Sequence, residues 1–283
     1  MSDELLTTAE AARIAGVGAS SVKRWADLEL LPCVRTAGGH RRFHRQELER
    51  FLRELSPEPA GQASAWVNSL LESGVFALHG ELLRARERLG SWHEVAEELG
   101  PALKELGARW ERGQISVVEE HVASERLSRA LERVADSIPS MPLDPQALLA
   151  TADGDEHTLG LSLVELCLRE AGFSCAWSGR GTPTADLAAL AASGEHALIA
   201  LSASAASTDG ARLRRQLETL GPACREHGVI LVLGGSGAWP DSDVYGERLH
   251  GLAEVFEAAC GWRKDVVRGR PLRPDKGPRS PEM

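Results

Sequence analysis

ALLATADGDEHTLGLSLVELCLREAGFSCAW, residues 147–177, decides the fold. Its two ends, ALLATA and FSCAW, are short apolar runs of strand character, and between them Leu161 to Ala171 repeats apolar residues at helical spacing. Two strands with a helix between them predict a parallel pair, since an antiparallel pair needs only a turn. The same alternation continues through a helix around Leu187–Ala192, the strand ALIALSAS at 197–204, a helix from about Ala211 to His227, VILVLGG at 229–235, and a last helix over Leu252–Ala259. Strands interleaved with helices predict a parallel α/β sheet over 141–262.

Each strand runs out into residues suited to a ligand. After ALLATA come Asp155, His157 and Gly160, spaced D-x-H-x-x-G. A neutral imidazole at the carboxyl end of a parallel strand faces the crevice where such sheets bind ligands. A carboxylate two residues away can accept the ring's other N–H, fixing the tautomer and strengthening the metal-ligating nitrogen. Alone, the trio also describes a hydrogen-bonded Asp–His loop with no metal. Ser202-Ala203-Ser204 follows ALIAL, and Gly234-Gly235 follows VILVL, glycines that let a flat or extended ligand press against backbone. Three loops therefore converge on one crevice.

Upstream, apolar positions from Trp66 to Val134, Val118 and Val122 among them, keep helical intervals, and breaks near Gly74, Ser91 and Gly113 divide the stretch into four helices. Ser116 and Glu119 form a capping box at one of these starts. A four-helix bundle over 58–140 is the expectation. In WERGQISVVEEH, residues 110–121, Trp110 lies across the Gly113 turn from Glu120 and His121; read singly, Trp110 is an ordinary core residue and His121 an ordinary surface one. SPEPAGQ, 56–62, reads as a linker.

The first 57 residues read as a DNA-binding domain. Thr7 and Glu10 make a capping box, Ala11, Ile14 and Ala15 an apolar stripe, and Gly16-Val17-Gly18 a turn into a second helix capped by Ser20, with Val22 and Trp25 inward and Ser21, Lys23 and Arg24 outward. VRTAGGHRRF follows as a hairpin whose tip is Gly38-Gly39. Leu48, Phe51, Leu52 and Leu55 recur at helical spacing and close the domain. The net charge of −9 opposes a general polyanion binder, yet Val22 to Arg45 carries six bases against two acids. His40, Arg41 and Arg42 on the hairpin could grip phosphates while Ser21, Lys23 and Arg24 enter the major groove. Trp25 and Phe43 read as core.

No stretch approaches the roughly 18 apolar residues of a membrane span, and the start lacks signal-peptide character, so a soluble cytoplasmic protein with no membrane partner is expected. Five widely spread cysteines without a CxxC pair suit reduced thiols. Residues 263–283, basic and proline-rich, read as a flexible tail.

TTAEAARIAGVGASSVKRW and TAGGHRRFHRQELERF resemble the MerR-type winged helix-turn-helix family. The set D-x-H-x-x-G, S-x-S and G-G resembles the Rossmann-like (flavodoxin-like) cobalamin-binding domain of corrinoid methyltransferases, mutases and certain regulators, whose second element is more often S-x-L or S-x-T, so contacts at Ser204 depart from the pattern. W-x9-E-H resembles the signature of CarH-type photoreceptor regulators, and the order of the three domains is theirs too. That resemblance implies a multidomain α and α/β repressor, not an enzyme. It implies His157 as cobalt's lower axial ligand, Asp155 and Ser202 as its hydrogen-bond relay, and Gly160, Ser204, Gly234 and Gly235 along the tunnel for the nucleotide tail. It implies Trp110, Glu120 and His121 over the cofactor's upper face, with His121 taking the upper cobalt site after photolysis. It further implies that adenosylcobalamin in the dark supports a homotetramer on operator DNA and that light disperses it. A regulator that senses cobalamin without light, and a corrinoid carrier for methyl transfer, are the rival readings.

Overall fold

The computed structural model describes residues 5–15, 19–27, 30–36, 38–48, 51, 59–240 and 245–267, which fall into two compact units, Met1–Ser64 and Ala65–Met283. In the first unit β1 (Leu5–Thr7) runs into α1 (Thr8–Ile14), followed by α2 (Ala19–Asp27), β2 (Val34–Arg35) and β3 (Arg41–His44). Thr7 and Glu10 form the expected reciprocal cap. The strands pair antiparallel in the order β1-β3-β2, with Gly39 at a φ of 79° in the hairpin tip. Strand β1 was not foreseen, three residues being too few to show an alternation. Phe43, as read from the sequence, forms the core with Val22, Leu31 and Leu48, and Trp25, expected there too, is partly buried against it and meets Phe51 edge-on at 5.2 Å. The Gly16-Val17-Gly18 turn, the side chains of Ser20 and Ser21, and Leu52 and Leu55 lie outside the described residues.

Helix α3 (Pro59–Glu72) spans the boundary at Ser64, and the second unit continues with α4 (Val75–Leu89), α5 (Trp92–Glu111) and α6 (Val117–Ser137), broken where expected. Gly90 and Gly113 end their helices at φ 97° and 68°, and Ser116 with Glu119 caps α6. Residues 59–62, expected in a linker, are helical instead, because proline's missing N–H costs nothing in a first turn; residues 56–58 lie outside the described set. Leu70, Leu78, Leu82, Val95, Leu99, Leu127 and Val134 are fully buried. Val118 and Val122 depart from that stripe and are exposed.

The α/β part follows as β4 (Gln146–Thr151), α7 (Leu159–Glu170), β5 (Ser174–Gly179), α8 (Thr184–Ser193), β6 (Leu198–Ser202), α9 (Gly210–His227), β7 (Ile230–Gly234), β8 (Glu247–Arg248) and α10 (Leu252–Val267). Its five strands are all parallel in the order β5-β4-β6-β7-β8. Building reverses direction between β4 and β6, and at such a switch point the flanking loops part to leave a crevice. Two-residue β8 escaped the sequence reading. Helix α10 also runs past residue 262, since Arg263, expected in the tail, donates to the Gly172 carbonyl at 2.9 Å and to Asp144 at 2.8 Å. Residues 268–283 lie outside the described set.

Glu170, at the end of α7, fixes the bundle to the sheet layer. Its carboxylate accepts the Trp92 and His93 backbone N–H groups at 2.8 and 3.1 Å, capping α5 from outside that helix. It also pairs with Arg86 of α4 at 3.0 Å. Beside it the His93 ring stacks on Phe256 of α10 at 4.2 Å, and Glu97 accepts the Ala253 N–H at 2.8 Å. Glu170→Ala leaves two helix-start donors and a guanidinium without their acceptor, and a loss of about 2–3 kcal/mol in urea unfolding is expected, with helix content unchanged.

Candidate functional site

A turn at the end of β4 starts the site. The Asp155 N–H donates to the Ala152 carbonyl at 2.9 Å, and Gly154 sits inside that turn at a φ of 81°, a conformation suited to glycine. The turn delivers the Asp155 carboxylate into the protein, where its side chain is fully buried. One oxygen accepts the His157 backbone N–H at 2.8 Å and faces His157 Nδ1 at 3.0 Å. The other accepts the Ser204 backbone N–H and the Ser207 hydroxyl, the latter at 2.6 Å. Burial alone would raise this carboxyl, but the hydrogen bonds from Ser207, His157 and Ser204 outweigh it and hold it down at about 2. An ionised carboxylate only accepts, so Nδ1 carries the proton and the lone pair lies on Nε2. The ring is 64% exposed, with Nε2 free for a ligand. Sequence reasoning gave the relay to Asp155 and Ser202. The hydroxyl that meets Nδ1, at 3.0 Å, is Ser204's, and Ser207 completes the set.

Thr151, Ser202 and Gly234 stand in register across β4, β6 and β7, so their side-chain positions share one face. The Ser202 hydroxyl faces Gly160 and Gly235. Thr151 Oγ1 is buried without a partner, and no atom lies near the space a side chain at Gly234 would fill. An orphaned hydroxyl and an open glycine position on one face, with Ser202 between them, suit a tunnel for a polar, extended group. Gly235 has another reason for its identity: at φ 80° a Cβ there would lie 2.9 Å from the Ala203 carbonyl carbon, so it lets two loops of the protein touch. A planar macrocycle carrying a metal and a long tail fits these residues, with a free imidazole nitrogen for the metal and an open seam for the tail.

Trp110 occupies the last turn of α5, and Glu120 and His121 the first turns of α6. Trp110 is half exposed, as are Val117 and Val122, and Val118 more so, leaving this end of the bundle with an uncovered apolar face. Glu120 accepts the Ser124 hydroxyl at 2.6 Å and lies 3.7 Å from His121 Nε2 on an exposed ring.

In the N-terminal unit Lys23, Arg24 and His40 are exposed. Arg41 is spent internally: its guanidinium pairs with Asp27 and donates to the Lys23 carbonyl at 3.4 Å, bracing the hairpin on α2. Arg42 donates to the Arg41 carbonyl at 3.2 Å and is half-buried. Burial pushes the Cys175 and Cys224 thiols up to about 12, and all five cysteines are free. Among the described residues no helix is long and apolar enough to cross a membrane.

Residues 5–56 match the helix-turn-helix domain family and residues 67–135 the B12 binding domain family. Over 87 residues the chain is 36% identical to the HTH-type transcriptional repressor CarA of Myxococcus xanthus, covering 31% of this chain and 28% of that protein. Over 142 residues it is 29% identical to the HTH-type transcriptional repressor CarH of the same organism, covering 48% of this chain and 46% of that protein. The chain thus spans less than half the length of either curated repressor. Its fold matches the Methanosarcina barkeri monomethylamine corrinoid protein with a TM-score of 0.55 at 19% identity, over 70% of this chain and 96% of that one. A helix-turn-helix domain joined to a helical B12-binding domain and a parallel sheet defines the class of protein. Over the stretches given, the chain is similar to the CarA and CarH repressors.

The carboxyl of Asp155 ionises at about 2 in the fold against an ordinary 3.8, so its stabilising contribution is complete above pH 3.8 and lost as pH falls toward 2. That difference corresponds to about 2 kcal/mol. Asp155→Asn is expected to flatten the acid limb of the stability curve between pH 4 and 2 in urea titrations; an equally steep limb in the variant would assign it elsewhere.

Proposed function

We propose that the chain is a cobalamin-dependent transcriptional repressor in which the corrinoid's state governs the hold on operator DNA. The observation that carries this reading is His157, whose imidazole is oriented by a buried carboxylate with its outer nitrogen free, in a chain that also bears a helix-turn-helix domain. His157 would hold cobalt through Nε2, and Asp155 with Ser204 and Ser207 would keep the ring in the metal-binding tautomer. Thr151, Ser202, Gly160 and Gly234 line the seam that receives the nucleotide tail. Trp110, Glu120 and His121 would close over the cofactor, where Trp110, Val118 and Val122 would bury apolar surface that is otherwise wet. When bound, adenosylcobalamin would supply a cobalt centre that accepts an imidazole and a cobalt–carbon bond that light cleaves. His121, on an exposed ring at the start of α6, is the residue that would ligate cobalt once that bond is broken. The assembly on DNA is a tetramer in the dark, following the resemblance to CarH-type regulators. A corrinoid carrier is the reading that fold alone favours, given the likeness to the monomethylamine corrinoid protein; an N-terminal helix-turn-helix has no place in it.

The test uses the full chain loaded with adenosylcobalamin in the dark and a duplex library selected for binding. A red protein that shifts the selected duplex in the dark and releases it on illumination is expected, and His157→Ala should lower corrinoid affinity at least tenfold and change the spectrum. A red protein indifferent to light removes the photochemistry, and a colourless one removes the cobalamin reading altogether. Lys23→Ala and Arg24→Ala should each reduce the slope of log K against log salt by about 0.9. Arg41→Ala should instead loosen the hairpin and lower the melting temperature of the N-terminal unit.

A further inference from the structure

The turn that aims Asp155 and His157 is held from outside by one helix. Arg212, in the first turn of α9, donates to both oxygens of Asp153, at 2.7 and 2.9 Å. Its guanidinium covers Gly154, where a Cβ would lie 2.6 Å from Cζ. One helical turn on, buried Gln216 accepts the Asp153 backbone N–H at 2.9 Å. Asp209 caps the same helix by accepting the Arg212 N–H at 3.0 Å. Side chain and backbone of Asp153 are thus both pinned to α9, and Gly154 cannot swing outward without meeting the guanidinium. Ser204 and Ser207, which hold Asp155, lie on the segment leading into α9.

We propose that Arg212 is a positioning residue for the cobalt ligand, clamping the Asp153–Gly154 turn so that the imidazole of His157 stands ready to coordinate before any corrinoid arrives. The inference rests on the cobalamin reading above. Arg212 touches neither metal nor imidazole; it acts through the turn. A bidentate guanidinium–carboxylate pair has the geometry this needs, whereas a lysine offers a point charge that holds one oxygen. The pair is half exposed, so its value lies in orientation more than in bulk stability. A loose turn spreads the imidazole over several orientations, and only the fraction that faces the metal contributes to binding.

The experiment compares wild type, Arg212→Met and Arg212→Lys, each incubated with hydroxocobalamin and then reduced to the cobalt(II) state. Hydroxocobalamin affinity is measured together with the share of imidazole-ligated cobalt, read from nitrogen splittings in the electron paramagnetic resonance spectrum. In the proteins without corrinoid, hydrogen exchange reports the Asp155 and His157 amides. Arg212→Met is expected to weaken hydroxocobalamin binding about fivefold, to leave a mixture of ligated and unligated cobalt, and to speed exchange at both amides about tenfold; Arg212→Lys should fall between it and wild type. A merely structural arginine would lower the melting temperature while leaving a uniformly ligated spectrum, and that result overturns the proposal. Should Arg212→Met not fold, Arg212→Lys with a wild-type spectrum and wild-type exchange overturns it as well. If wild type itself takes up no corrinoid, the cobalamin reading fails and takes this inference with it; if wild type is ligated and the variants match it, only the clamp fails.

Discussion

A carboxylate taken out of water is costly unless every one of its lone pairs finds a donor, and Asp155 meets that condition inside the site. Its donors come from three places: the backbone and ring of its own loop, the backbone after β6, and a hydroxyl on the approach to α9. Removing any one would leave charge buried with a partner missing. The loops at the switch point are therefore tied together in the absence of ligand, and the imidazole inherits its orientation from that knot. Binding to such a site loses less entropy than binding to loops that must first be ordered.

The bundle is organised the other way round. Helix α5 is 20 residues long, roughly 30 Å from end to end, and its first turn is capped by Glu170 and packed against α10. Its last turn carries Trp110, half exposed, and the start of α6 beside it shows Val117, Val118 and Val122 to water. One end is thus fixed by a buried carboxylate and a stacked ring pair, and the other presents apolar surface with no partner among the described residues. Helix α7 links the two behaviours, since it begins just after His157 and ends in Glu170.

Those two features also explain what was legible in the sequence. Helix and strand periods are dictated locally, so the four helices of the bundle and the alternating sheet emerged with their breaks, and D-x-H-x-x-G was visible because its residues are near neighbours in the chain. The partners of Asp155 are not neighbours. Ser204 and Ser207 stand 49 and 52 positions away, and SASAAST offers several hydroxyls among which only the path of the chain selects. The resemblance pointed to Ser202, the last residue of β6, yet strand alternation turns it toward Gly160 and Gly235. Arg41 shows the same gap: a hairpin arginine looks like a phosphate contact until its pairing with Asp27 appears. Helical spacing likewise placed Val118 and Val122 in the apolar pattern of the bundle although both are exposed, because periodicity finds an apolar face and says nothing about what covers it.

In the proposed reading, that uncovered face would form the second half of the site. Apolar area left in water costs about 25 cal/mol per Å², so a half-exposed tryptophan flanked by three valines holds a few kcal/mol that only a covering surface can recover. The knot around Asp155 is satisfied by itself and gains little from closing; the bundle end gains much. A ligand held from below by His157 that presents an apolar group on its upper side would therefore act chiefly on the bundle, and loss of that group would be felt there first. In that reading the knot around Asp155 would supply a fixed point and the bundle end the element whose environment the ligand's state changes, which is the division a sensor needs.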